Sequence, residues 1–249
     1  MKRGKPFLAA AIVIAAAFGM LPARSDEPLH SLEASPHAGC TPASDGSLNG
    51  HAYLYCGYHW PSLPVKLRIA TDGAPANVRQ QFTHLVQNAS AEWNQWWPGR
   101  GARCGAILCT DAGAANTISF GVLPEHVLGQ TIVTSEGKTI THVDVVLNIA
   151  ANWQNANGSD VVTGEQAGLA ASACATCHDW FDLQDVVTHE LGHVLGLEDL
   201  GDQSHCLGDL TESVDFSQTM YGCFWPGDTS KRTLSWGDVD GLRRLSLDY

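Results

Sequence analysis

One stretch constrains this chain more than any other: His189-Glu190-Leu191-Gly192-His193-Val194-Leu195-Gly196-Leu197-Glu198-Asp199. Upstream of it, Leu183, Val186, Val187 and Leu191, continued by Val194 and Leu195, recur at helical period and predict an apolar stripe. Asp182 suits the N-cap of that helix, Asp185 suits its N3 position, and Gly196 is the natural C′ residue. On such a helix His189 and His193 project from the same face one turn apart, so one small ion can reach both imidazoles. Glu190 is angularly offset and can hold a water on that ion instead of ligating it. Chance alone yields H-E-x-x-H in a chain of this composition roughly once or twice in a hundred, and requiring Gly196 lowers that about tenfold. Two histidines on an ordinary helix face are therefore the weaker reading.

The first residues read as a targeting segment. Lys2, Arg3 and Lys5 precede an unbroken apolar run from Phe7 to Met20, and Ala23-Arg24-Ser25 supplies small residues before a cut at Asp26. A helix over that run spans about 21 Å, short of the roughly 30 Å hydrocarbon core, which favours a cleaved signal over an anchor. Residues 1–25 are thus expected to be a signal peptide, and the product to be secreted or periplasmic. Its removal leaves ten basic against twenty-six acidic residues, a net charge of −16. That surface argues against nucleic acid or an anionic membrane as partner and is compatible with hard cations such as Ca2+, while the short apolar run argues against a stable membrane anchor. The remaining length can bury one good core.

Eight cysteines in an exported chain imply disulfides. Sequence proximity suggests the pairs 40–56, 104–109, 174–177 and 206–223. The rival reading takes Cys104, Cys109, Cys174 and Cys177 as a structural zinc cluster.

Along the chain, residues 26–60 are expected to be an irregular N-terminal segment tied down by Cys40 and Cys56. Strict alternation predicts a strand over Val65–Thr71. Pro75 opens a long helix to about Trp97, with Val78, Phe82, Leu85, Ala89, Trp93 and Trp96 as its core stripe. Residues 99–115 and 151–181 read as loops. Asn116–Val122 and Thr141–Leu147 read as strands, and His142 and His178 as weaker candidates for a second ion. A C-terminal helix starts at Ser235, with Asp238 completing a capping box and Leu234 and Val239 a hydrophobic staple. The pattern is α+β.

A catalytic zinc wants three protein ligands and one open position. Beyond His189 and His193, the third candidates are Asp199, Glu198, Asp202, His205 and Glu212. Residues 189–199 resemble the metzincin metallopeptidase pattern, H-E-x-x-H-x-x-G-x-x-H followed by a methionine turn, with Asp199 where the third histidine usually stands. Met220, in Thr219-Met220-Tyr221, resembles the methionine of that turn. Leu234–Leu242 resembles the matrixin end of such a domain, and Asp at the third position is similar to the snapalysin-like peptidases.

The resemblance implies a metzincin-like catalytic domain over 61–249, with a twisted, mostly parallel sheet, a long N-terminal helix, an active-site helix and a C-terminal helix. It implies a monomeric secreted zinc endopeptidase acting on proteins or peptides, with Glu190 catalytic and His189, His193 and Asp199 on Zn2+. The thiol-switch segment Pro-Arg-Cys-Gly of matrixin zymogens is missing from the sequence. Two rival readings stand beside this one. One is a thermolysin-like peptidase with Glu212 as third ligand, and the other is an exported zinc-binding module without activity.

Overall fold

The computed structural model describes residues 29–34, 52–98, 105–155, 179–200 and 218–249. Among the described residues three helices, α1 (Ala76–Trp96), α2 (Leu183–Leu195) and α3 (Trp236–Leu245), pack around a mixed sheet. The sheet contains β1 (Leu29–Ala34), β3 (Val65–Ile69), β4 (Leu108–Thr110), β5 (Asn116–Gly121), β6 (Val127–Glu136), β7 (Thr139–Asn148) and β11 (Cys223–Phe224), joined in the order β11-β1-β6-β7-β5-β3-β4. The pairings of β4, β3, β5 and β7 are all parallel, as is β1 with β6, whereas β6 runs antiparallel to β7 and β11 antiparallel to β1. Two small ribbons complete the strands: β2 (Leu54–Tyr55) with β10 (Leu197–Glu198), and β8 (Trp153–Gln154) with β9 (Phe181–Asp182). Among the described residues no helix is long and apolar enough to cross a membrane.

The architecture agrees with the expected mixture of helices and a mostly parallel sheet, and the differences have physical causes. The segment 26–60, read as irregular, contains β1 and β2. Neither alternates convincingly in sequence, because each is a short strand stabilised by the partner it meets in space. Residues 99–115, read as a loop, contain β4. There the Asn94 amide of α1 acts like a neighbouring strand: its oxygen accepts from the N–H groups of Ile107 and Leu108 at 2.8 and 3.1 Å, and its nitrogen donates to the Leu108 carbonyl at 3.0 Å. Strand β6 lies outside every strand read from the sequence. Gly129, Gln130 and the later Thr-Ser-Glu break up its apolar pattern, yet its first half is buried. Trp96, assigned to the core stripe of α1, is 41% exposed, while Val86 is fully buried in its place. The last turn of α1 runs past the core, so the Trp96 indole only reaches back to Glu92 at 3.3 Å.

The core sits between α1, α2 and the sheet, and Trp93 is its hinge pin. Its indole is fully buried and donates to the Thr188 carbonyl of α2 at 2.8 Å, tying the two helices at one height. At the other end of α2, the buried Trp60 indole donates to the Val194 carbonyl at 2.7 Å. The predicted terminators hold. Asp182 caps α2 by accepting from the Asp185 N–H, Gly196 ends it with φ 103°, and Ser235 and Asp238 form the capping box of α3. A side chain at Gly196 would also meet the Tyr58 carbonyl at 2.4 Å, so two independent constraints require glycine there.

The proposed signal segment 1–25 lies outside the described residues, as do Cys40, Cys104, Cys174, Cys177 and Cys206 and hence the partners assigned to Cys56, Cys109 and Cys223. Replacing Trp93 by Ala removes the largest side chain at the α1–α2 contact and the hydrogen bond to Thr188. Urea unfolding of the variant is expected to show a loss of about 3–5 kcal/mol.

Candidate metal centre

Every residue of α2 except Gln184 is buried, including His189, Glu190 and His193. A helix that buries such polar groups must find partners for them, and the partners define the site. His189 Nδ1 lies 2.6 Å from the Thr219 carbonyl, and His193 Nδ1 lies 2.9 Å from the Leu197 carbonyl. A carbonyl only accepts, so each ring carries its proton on Nδ1 and turns an Nε2 lone pair toward the same point. Carbonyl-anchored imidazoles of this kind are the usual outer support of a metal ligand.

Asp199 closes the set. The chain turns at Gly196, passes through β10, and brings Asp199 Oδ1 to 3.1 Å from His189 Nε2 and 3.4 Å from His193 Nε2. The two Nε2 atoms are themselves 3.1 Å apart. Zinc-to-ligand bonds of about 2.0–2.2 Å in tetrahedral geometry give a ligand triangle with edges of about 3.3 Å. The donor atoms, two neutral imidazole nitrogens and one carboxylate oxygen, thus stand on one face of a tetrahedron of the right size. His189, His193 and Asp199 could together hold a metal ion. Burial pushes the Asp199 carboxyl up, whereas positive charge on the adjacent His193 and His189, present only when those rings are protonated, holds it well below the usual carboxylate range.

Glu190 faces the sheet. Its Oε2 accepts from the Thr131 hydroxyl of β6 at 2.6 Å, and its Oε1 lies where a side chain on Gly129 would begin, 2.3 Å from that position. Glycine at 129 is what lets the Glu190 carboxylate settle against the strand. On the opposite side Phe224 of β11 meets the His189 ring edge to face, with centroids 5.1 Å apart.

Beneath α2 lies the turn containing Met220. Met220 is buried and packs so tightly on Gly192 that a Cβ there would stand 2.2 Å from its sulfur and 2.8 Å from the Trp93 ring. The turn is held by α3. Asp238, already the N3 residue of its capping box, accepts from the Thr219 and Met220 N–H groups at 2.9 and 3.0 Å and from the Ser235 N–H at 2.8 Å. Burial raises its carboxyl above the ordinary value even against those donors. The fully buried Lys231 donates to the carbonyls of Gln218 and Tyr221, bracing the turn from the other side. Burial also lowers the Lys231 ammonium below its ordinary range, against the pull of Asp185, Asp228, Asp238 and Asp199.

Of the residues singled out in the sequence, the structure brings together His189, His193 and Asp199, with Glu190 alongside. Glu198 is buried in β10, in register with Leu54, and stands outside the group. His142 is on β7, bonded to Asp144 at 2.9 Å, and likewise outside it. Asp202, His205, Glu212 and His178 lie outside the described residues. Sequence reading missed Gly129, Thr131 and Lys231. Thr131 and Lys231 carry no local signal, since their partners lie far away in sequence. Compared with known proteins, the chain matches no family model, and no curated protein matches it either.

Gly192→Ala forces its new methyl into Met220 and Trp93. The apo protein is expected to lose about 1–3 kcal/mol in chemical denaturation with chelator present, a purely steric cost.

Proposed function

We propose that this chain is a zinc-dependent endopeptidase of metzincin type, secreted or periplasmic, that cuts peptide bonds in proteins. The observation that carries this reading is the triangle of His189 Nε2, His193 Nε2 and Asp199 Oδ1, with edges of 3.1–3.4 Å, beside a buried glutamate that takes no part in it. A closed structural zinc site uses four protein ligands, whereas three, the number found among the described residues, leave a position for water. Zinc bound there supplies Lewis acidity, lowering the pKa of a water and polarising a carbonyl.

The chain's own residues do the rest. Glu190 takes the water's proton and passes it to the departing amine, the general base and acid of the reaction. Thr131 holds one carboxylate oxygen and Gly129 lets the group lie close to β6, so Glu190 meets a substrate in one orientation. Thr219 and Leu197 keep both imidazoles in the Nε2-ligating tautomer. Met220 is a packed floor under Gly192, its sulfur turned against that glycine.

The resemblance to metzincins supports the reading through residues 189–199, the turn at Met220 and the capped helix from Ser235. An exported zinc-binding module without activity has no use for Glu190. Its carboxylate is nonetheless buried and positioned by Thr131 and Gly129.

Two variants test the assignment together. Glu190→Gln is expected to keep one zinc per chain by elemental analysis while casein hydrolysis falls by at least about a hundredfold, the lower end of a general-base effect. Full activity in that variant sinks the mechanism. Asp199→Ala is expected to lose zinc under dialysis that leaves His205→Ala loaded; the reverse result transfers the third ligand to His205.

A further inference from the structure

Lys231 is fully buried, and its contacts lead to the supports of two of the three candidate ligands. It belongs to the short 3-10 turn Ser230–Arg232, which packs on α2. That turn is fastened on both sides of Lys231. Asp228 accepts from the Ser230 N–H at 2.9 Å and from the Ser230 hydroxyl at 3.0 Å, and Arg232 forks onto both carboxylate oxygens of Asp182, the N-cap of α2. A long side chain that starts from so fixed a base has a defined reach.

From there Nζ donates to the Gln218 carbonyl at 3.1 Å and to the Tyr221 carbonyl at 2.5 Å, on either side of Met220. Between those two anchors stands the Thr219 carbonyl, which accepts from His189 Nδ1. The same turn grips the chain next to Asp199. The Leu200 N–H donates to the Met220 carbonyl at 2.7 Å, and the Gly222 N–H donates to the Leu200 carbonyl at 3.5 Å. A Cβ on Gly222 would stand 3.0 Å from the Asp199 carboxyl carbon, so the turn and that carboxylate are in close contact. Nζ also lies 5.0 Å from the centroid of Phe224, the ring packed on His189. His193 is held differently, by the Leu197 carbonyl in the bend that follows α2.

Hydrogen bonds from an ammonium are roughly twice as strong as those between neutral groups, and two of them joining Gln218 to Tyr221 fix the width of the turn. The carboxyl groups of Asp185, Asp228, Asp238 and Asp199 favour that charge in the interior. We infer that Lys231 is a positioning residue for the candidate metal centre: its ammonium holds the turn from Gln218 to Gly222 in the shape that sets His189 and Asp199 at ligating distance. This rests on the zinc reading of the site and adds to it a residue that controls metal affinity without being a ligand. Coulomb's law alone predicts the opposite sign, since removing a positive charge beside the site favours a cation. The direction of the change in zinc affinity therefore separates positioning from charge.

The full chain from Asp26 is compared with Lys231→Met, which keeps the bulk and loses the charge and donors, and with Lys231→Arg, which keeps the charge and donors. Leu67→Ala, a truncation of a fully buried core residue on β3, is the control for lost stability. Zinc affinity is measured by competition with a chromophoric chelator, the visible absorption of each cobalt-loaded form reports the ligand geometry, and urea unfolding with chelator present records the stability of each apo form.

Lys231→Met is expected to bind zinc about 10- to 100-fold more weakly, the range for losing an outer support of a metal ligand, with an altered cobalt spectrum. Lys231→Arg is expected to recover affinity and spectrum toward those of the parent, and Leu67→Ala to lose stability while keeping both. Unchanged or tighter zinc binding in Lys231→Met overturns the inference, and so does an equal loss in Leu67→Ala. Lys231→Gln, which loses the charge and keeps an amide donor, replaces the Met variant if that one does not fold. If neither folds, Lys231 serves the fold alone and the positioning role is overturned. A parent that binds zinc but leaves casein intact ends the peptidase reading, and the zinc affinities still decide Lys231; a parent that binds no zinc ends both.

Discussion

A helix buried on nearly every side that still carries two histidines and a glutamate sets the terms for the rest of this structure. An unpartnered buried amide or hydroxyl costs on the order of a few kcal/mol and an unpaired buried charge more, so α2 can exist only where the surroundings satisfy it. Thr131 meets Glu190, the carbonyls of Thr219 and Leu197 meet the two rings, and Trp93 meets the Thr188 carbonyl. These partners come from β6, from the turn at Met220, from the bend after Gly196 and from α1. The same contacts that make the helix tolerable in the interior give its side chains one orientation each. Stability and chemistry are in this sense a single problem.

The turn at Met220 shows the same economy one layer out. It is a short irregular piece of backbone in a buried setting, where unsatisfied N–H and C=O groups are costly. Asp238 takes two of its N–H groups and Lys231 two of its carbonyls. Asp238 thereby links the start of α3 to the floor of the candidate metal centre and to the carbonyl that holds His189. This gives the capping box of α3 a second consequence, since its acidic member orients His189 through the Thr219 peptide. It also explains why aspartate serves at that position: a shorter side chain keeps the turn close to the helix end.

Much of the site was legible in the sequence because it depends on local periodicity. The four-residue spacing of His189 and His193, the stripe from Leu183 to Leu195, the Asp182 cap and the Gly196 terminator are all consequences of one helix. Asp199 was readable as a candidate for a related reason: three residues after a left-handed glycine, the chain is short enough to return to the helix it has left. The strands at Val65–Ile69 and Thr139–Asn148 were visible from alternation or apolar content. Strands β1, β4 and β6 were not, and the exposure of Trp96 was misjudged. Their state is set by a partner in space: the Asn94 amide for β4, β1 and α2 for β6, and the end of the core for Trp96.

By itself the sequence determined which residues stand on one helix face, where that helix begins and ends, and that an acidic group follows its terminating turn. Helical geometry relates residues three or four apart, and no tertiary information is needed to apply it. Only the tertiary structure decided that Asp199 closes the triangle, that Glu190 rests on Thr131 against Gly129, and that Leu29–Ala34 lies between β6 and β11. Apart from the short return of Asp199 to its own helix, those contacts join residues dozens to nearly two hundred positions apart. Their pairing follows from sheet order and from the demand that buried polar groups find partners, neither of which leaves a periodic trace in the chain.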